Sequence, residues 1–197
     1  MAPDPLPLAV QARTAVPAQN LPAQTVASLS EREKGLIELR GRVESCRQCQ
    51  LGETRTNLVF GCGSPESRII FVGEAPGYHE DQQGIPFVGQ AGKLLEKLLA
   101  RIGLSREDVY ITNVLKCRPP DNRDPQTAEI QICRVFLEEQ ISIIEPLVVC
   151  TLGNFATKLL TGQPDGISRV HGNPQEMPGH SGMKLFPVYH PAAALYT

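Results

Sequence analysis

No stretch of this 197-residue chain stays apolar over the roughly 18–20 residues that a membrane-spanning helix requires. The first residues lack the basic segment and compact apolar run of a secretory signal. Long basic runs are missing as well. With 19 Lys and Arg against 21 Asp and Glu, the formal net charge is −2, which counts against a protein that coats DNA through many phosphate contacts. An enzyme presenting one local basic patch is not excluded. Residues 1–29 lack any sustained hydrophobic period. Rich in Pro, Ala and Gln, they read as a disordered leader, with a short helix around Val10–Thr14 as the alternative. Together these absences point to a reducing, cytoplasmic setting without a membrane. There the six cysteines bind metal or stay as thiols rather than pair as disulfides.

What is present suits one globular domain over residues 30–197, since 41% of the chain is hydrophobic and 20% charged. A core of about 150 residues buries roughly 70% of its unfolded surface, so no metal is needed merely to reach stability. Order begins at Ser30, where Ser30-x-x-Glu33 forms a capping box ahead of an apolar stripe of Leu36, Ile37, Leu39 and Val43. That helix should end near Cys46. Arg68–Gly73, Val109–Val114, Leu147–Leu152 and Leu185–Tyr189 read as strands, the last despite Pro187, which suits an edge or strand end. Between them fall helices over Ala91–Ile102, with Leu94, Leu95, Leu98, Leu99 and Ile102 on one face, from Pro125 at N1 to about Glu145, and over Asn154–Leu160. Gly103 closes the first of these.

Strands alternating with helices imply right-handed crossovers, hence an α/β fold: a three-layer αβα domain around a central, mostly parallel four-stranded sheet. Ligands of such sheets bind beyond the carboxyl ends of the strands. The loops there begin at Gly73, Asn113, Gly153 and His190.

These loops carry an ordered set of motifs. Gly73-Glu74-Ala75-Pro76-Gly77 follows the first strand, then Gly84-Ile85-Pro86-Phe87-Val88-Gly89. Thr112-Asn113 ends the second strand, Lys116-Cys117-Arg118-Pro119-Pro120 comes next, and His190-Pro191-Ala192 follows the last strand. In this order, over about residues 43–197, the chain resembles the family 4 uracil-DNA glycosylases, the iron–sulfur branch of the uracil-DNA glycosylase superfamily. The resemblance implies a DNA-repair hydrolase acting as a monomer on uracil-containing DNA, with Gly73, Ala75, Glu80, Phe87, Asn113 and His190 as its uracil-binding set.

The chemistry agrees with that implication. Cutting a base from its sugar requires flipping it out, stacking it on an apolar plate and reading its Watson–Crick edge. The resemblance makes Phe87 the plate and Asn113 the reader. A carboxamide matches the N3–H and O4 of uracil and clashes with the N4 amine of cytosine. His190 would donate a hydrogen bond to O2, where negative charge collects as the base departs, and Pro191 would stiffen it. Without the surrounding motifs, Phe87 reads as a core residue, Asn113 as a strand-end cap and His190 as a capped structural residue opening a turn. Glu74 either orients water and stabilises positive charge on the sugar or holds its loop by backbone hydrogen bonds. Ala75 stands where the best-known branch carries a water-orienting aspartate, so it cannot take that role. Glu80, with Tyr78 as competitor, is placed by the resemblance near the uracil C5 edge, where it would exclude the thymine methyl group.

Cys46-x2-Cys49 is the strongest metal signal, and Cys117 and Cys133 complete a set of four. Four thiolates suit either a [4Fe–4S] cluster or a structural zinc ion. The family resemblance favours the cluster, in a structural role, because hydrolysis needs no electron. Cys62 and Cys150 are left over, Cys150 as a small core residue. Arg118 and Arg123 are candidates for gripping DNA phosphates, with solvated loop charges as the plain alternative. Arg169 and His171 lie in a segment where the family usually has Arg at the position of His171, so contact there is expected to be weaker or pH-dependent. Leu195 is the candidate wedge for the gap left by the flipped base, its neighbour Ala194 being too small.

Two rivals remain at this level. A branch that traps uracil-DNA covalently carries a histidine-bearing basic insertion after the second strand and a glutamine in the first motif. Here Arg118–Pro125 has no histidine, and position 75 is alanine. A non-catalytic DNA-binding module would have little reason to keep Phe87, Asn113 and His190 together. The chain stops seven residues after His190, where relatives continue into another helix. A truncated, less stable domain with a frayed wedge loop is therefore expected.

Overall fold

Four short apolar runs form the parallel centre of one sheet, and their alternating side chains divide the core into two halves. The computed structural model describes residues 29–195. The expected leader, apart from Leu29, and its short-helix alternative lie outside the described residues. In chain order the elements are α1 (Glu31–Glu44), α2 (Leu51–Thr54), β1 (Cys62–Gly63), β2 (Ile69–Gly73), α3 (Tyr78–Gln83), α4 (Gln90–Arg101), β3 (Tyr110–Asn113) and a 3-10 turn (Pro120–Asn122). Then come α5 (Thr127–Ile144), β4 (Val148–Leu152), α6 (Asn154–Thr161), α7 (Ile167–Val170), β5 (Gln175–Glu176), β6 (Lys184–Val188) and a 3-10 segment (Pro191–Leu195).

The sheet order is β1-β3-β2-β4-β6-β5, with the central four strands parallel. The expected four strands are those four. The sheet itself is wider, with six strands among the described residues, because β1 and β5 add antiparallel edges. Each edge strand is two residues long, too short for a period-2 pattern to register in the sequence. Pro187 is accommodated because β5 pairs only with Lys184 and Leu185, which leaves β6 an edge strand at the proline.

Ile70, Val72, Tyr110, Val149 and Leu185 face α1, α5 and α6, packing with Leu39, Leu137, Ile141 and Leu160. Phe71, Ile111, Cys150 and Leu152 face the other way, onto Leu95 and Leu99 of α4 and onto Phe87. Leu39, Leu137 and Ile141 are fully buried, and each such side chain contributes about 1.5–3 kcal/mol of burial free energy.

Helix boundaries follow local chemistry. Ser30 accepts a hydrogen bond from the Glu33 amide at 3.2 Å, and the Glu33 carboxylate accepts one from the Ser30 amide at 2.8 Å, the reciprocal capping box. α1 ends at Glu44, two residues short of Cys46. α5 starts at Thr127, so Pro125 precedes the helix rather than opening it. Glu129 accepts from the Gln126 amide at 2.8 Å and sets the start there. The buried stripe of α4 is Gly92, Leu95 and Leu99, whereas Leu98 and Ile102 are 46% and 68% exposed. The stripe is narrower than the apolar pattern because one helix packs one face only against the sheet. For the same reason Ile37 of α1 and Val135 of α5 are exposed. No helix among the described residues is long and apolar enough to cross a membrane.

Candidate active site

The carboxyl ends of β2, β3 and β6 open into a cavity of about 710 Å³. Its walls include Glu74, Ala75, Glu80, Phe87, Asn113 and His190. Gly153, which follows β4, stays outside the walls but backs His190: a Cβ on it would lie 3.1 Å from the His190 Cβ.

The floor depends on a missing side chain. Gly73 ends β2 beside Asn113, its partner on β3. A Cβ at Gly73 would lie 2.3 Å from Asn113 Oδ1 and 2.5 Å from the Phe87 ring, so any larger residue displaces both. The Asn113 side chain is 2% exposed, and its Oδ1 has no hydrogen-bond partner. Leaving a buried acceptor unpaired costs about 1–3 kcal/mol. Such an atom awaits a donor.

Phe87 is also held against its preference. Its φ is +55°, a left-handed backbone that a bulky residue adopts at a cost of about 1–3 kcal/mol. Several groups enforce it. Glu80 Oε1 accepts from the amides of Val88 and Gly89 at 2.9 and 2.8 Å. Arg106 donates to the carbonyls of Phe87 and Pro86 at 2.8 and 2.5 Å. Gly92 leaves room for the Phe87 carbonyl, which would lie 1.8 Å from a Cβ there. The Phe87 ring lies 5.6 Å from the His190 ring, tilted by 32°.

His190 accepts a hydrogen bond at Nδ1 from the Ala192 amide at 3.2 Å. In the neutral ring Nε2 therefore carries the proton. Burial lowers its pKa below 6.5, with Glu80 pulling the other way, so the neutral ring prevails at physiological pH. Glu74 is pushed up to about 7, first by burial and then by repulsion from Asp124, which lines the same cavity.

The expected DNA contacts scatter. Leu195 lines the cavity mouth and is 44% exposed. Arg118 stands over the Tyr78 ring at 5.3 Å and donates through Nε to Asn122 Oδ1 at 2.7 Å, and both partners are wall residues. Arg123 turns inward instead, gripping the Glu129 carboxylate with both arms at 3.0 and 2.6 Å. Arg169 pairs with Asp165, two residues before its own short helix, and the His171 ring packs edge-on against Tyr189 at 4.4 Å. Neither reaches the cavity walls.

Beneath the cavity, Cys117 and Cys133 are buried in the core half that faces α1 and α5, with Cys46 and Cys49 packed against it. None of the four is paired in a disulfide. Arg55 donates to Cys117 Sγ at 3.1 Å and also to the carbonyls of Val43 and Glu44. Burial pushes the Cys133 thiol up to about 11. Among the described residues, no three His, Cys, Asp or Glu stand close enough to hold a single metal ion. Cys117 nevertheless feels the charge of Cys46 and Cys49, and Cys133 that of Cys117 and Cys49, so the four lie near one another as an all-sulfur donor set, which suits either an iron–sulfur cluster or zinc. Between corner and cavity, the fully buried Lys116 donates to Thr112 Oγ1, the Asn113 carbonyl and Gln140 Oε1 at 2.7, 2.7 and 2.6 Å.

Sequence reasoning missed Arg106, Asp124 and Gln140, whose partners are distant in the chain or in loops without a period. Gly92 carried a readable signal, a glycine in a helix where a neighbouring backbone comes close.

A model of the uracil DNA glycosylase superfamily matches residues 60–197. The type-4 uracil-DNA glycosylase of Archaeoglobus fulgidus is 49% identical over 168 residues, covering 83% of this chain and 84% of that protein. That of Thermotoga maritima is 47% identical over 165 residues, covering 83% and 85%. A type-5 uracil-DNA glycosylase of Thermus thermophilus is 33% identical over 152 residues, covering 67% and 68%.

Proposed function

This chain belongs to the uracil-DNA glycosylase superfamily, within it to the type-4 group, and from that premise we propose that it flips uracil out of DNA and hydrolyses the N-glycosidic bond, leaving an abasic site. The observation that carries this reading is the buried, partnerless Oδ1 of Asn113 beside Phe87 and His190. An imide N3–H supplies the missing donor. Cytosine presents an unprotonated N3 there and leaves the acceptor orphaned, which a buried site penalises strongly.

The reaction then follows from the walls. The flipped ring stacks on Phe87. As the C1′–N1 bond breaks, its electron pair passes into the base and gathers on O2, where His190 donates from Nε2. Because the ring starts neutral, it acts as a donor without handing over its proton. Water adds to C1′, and Glu74 is the group suited to orient it and hold the proton it releases, since its carboxyl loses its own proton near neutrality. Cys46, Cys49, Cys117 and Cys133 would hold a [4Fe–4S] cluster whose contribution is a covalent tie between the loop after α1, the loop after β3 and α5. Arg118, at the rim, is the best-placed candidate for a phosphate. Arg123 is spent on Glu129, and Arg169 and His171 stand away from the walls. Leu195 is placed to fill the vacated stack. The working environment is a reducing cytoplasm and the working form a monomer.

A uracil-containing oligonucleotide incubated with the protein and then treated with alkali tests the reading. Strand cleavage at the uracil, absent with thymine or cytosine, is the expected result. A stable shifted adduct marks a covalent trap, and binding without cleavage marks a non-catalytic module. Either outcome overturns the proposal.

A further inference from the structure

The loop carrying Phe87 is gripped from both sides. On one side the Glu80 carboxylate collects the amides of Val88 and Gly89. On the other, a guanidinium from the turn before β3 collects two successive carbonyls, those of Pro86 and Phe87. Successive carbonyls point the same way only when the residue between them has helical dihedrals of either hand, and the φ of +55° at Phe87 supplies that. The fork of Arg106 matches such a carbonyl pair, as no single-point cation does. The side chain is 21% exposed and its other contacts hold it in place, Glu96 Oε1 at 3.3 Å and Cys62 Sγ at 3.2 Å. Arg106 therefore links the sheet edge at β1 to the backbone of the stacking residue, and it is not among the residues that line the cavity.

We propose that Arg106 is a positioning residue for base recognition: by clamping the carbonyls of Pro86 and Phe87 it keeps Phe87 in its left-handed conformation, with the ring across Gly73 and beside Asn113 and His190. The inference rests on the glycosylase reading above and deepens it. Without the clamp the backbone relaxes toward an ordinary φ, the ring tips off the floor, and the flipped base sits out of line with its donor and its reader. Displacements of about 1 Å of this kind lower rates by as much as 10²-fold.

Two variants of the full chain test it. Arg106→Gln removes the charge and the fork, and Arg106→Lys keeps the charge but offers one ammonium for two carbonyls. The readouts are single-turnover excision at saturating uracil-DNA, inhibition by free uracil, affinity for abasic-site DNA, and thermal melting. Arg106→Gln is expected to lower the excision rate by about 30- to 100-fold and to weaken inhibition by free uracil about tenfold, with abasic-site affinity unchanged within about twofold. Arg106→Lys should fall between it and the wild type in both affected readouts. Wild-type rates and inhibition in both variants overturn the proposal. So does a loss that only tracks melting and disappears when assayed well below the transition. Should Arg106→Gln fail to fold, Arg106→Lys decides alone: a loss of about threefold or more in both readouts with wild-type melting supports the clamp, and wild-type values sink it. A wild-type chain that neither excises uracil nor is inhibited by it overturns the glycosylase reading and this inference together. Excision that persists unchanged in the variants overturns only the inference.

Discussion

The cavity and the cysteine corner are joined by the five residues from Asn113 to Cys117, yet they treat polar groups in opposite ways. In the corner the buried side-chain nitrogens and oxygens of Thr112, Lys116 and Gln140 are matched. Lys116 has three partners, Gln140 reaches the Phe60 carbonyl at 3.0 Å and the Tyr110 hydroxyl at 3.2 Å, and Thr112 reaches the Phe60 carbonyl at 2.9 Å. A few residues away Asn113 Oδ1 is buried with no partner, Phe87 holds an unfavourable backbone, and Glu74 is pushed to about 7. Saturated polar groups specify a fold, whereas unsaturated ones wait for a ligand. Asn113 bridges the two regimes: its carbonyl serves the network and its carboxamide serves the cavity.

The contrast breaks most readily at Asn113. Replacing it with alanine should lower uracil excision by about 10³-fold or more, since a reader of the base edge is lost. The melting temperature should not fall much, because the acceptor removed had no partner to lose. A large fall in stability would mean that the side chain belongs to the corner rather than the cavity. The converse test is Cys133→Ser. It should reduce bound iron, measured by elemental analysis of the purified protein, and lower melting by more than about 5 °C, consistent with the loss of a couple of kcal/mol in a domain of this size. Residual excision per folded molecule should change far less than in Asn113→Ala. Full iron content in Cys133→Ser would remove the cluster proposal.

Glu74 gives the smallest and most diagnostic effect. Its folded pKa, about 7, lies above the ordinary 4.5, so folding favours the protonated form. The stability this provides is complete below pH 4.5 and is lost as pH rises through 7. Glu74→Gln should therefore melt higher than wild type at pH 8 and nearly the same at pH 4. If the carboxylate also handles the water, wild-type excision rises with pH through about 7, and Glu74→Gln is slower and flat over that range. A variant that is neither stabilised at pH 8 nor flattened in its rate profile would place Glu74 in the loop's scaffolding.

Local signals in the sequence were enough for the parts that depend on near neighbours. The Ser30–Glu33 box starts α1 because both partners lie within one turn. The four central strands show as short apolar runs because both faces of a parallel sheet are covered. That Phe87, Asn113 and His190 share one cavity was legible because their motifs follow or end β2, β3 and β6 in a fixed order. Where packing decided, the reading was less complete: Ile37, Leu98 and Val135 have core-like residue types, yet their helices turn them to water.

By itself, then, the amino-acid order determined the α/β class, the family, and which loops carry chemistry. Those features reside in the types of residue and their spacing along one chain. Tertiary structure alone decided that Arg123 faces inward to Glu129, that Glu80 and Arg106 grip the loop around Phe87, and that Asp124 raises the pKa of Glu74. Charges interact through space, and the sheet and its crossovers bring Arg106 to Phe87 across 19 residues of chain. No local period encodes such a meeting.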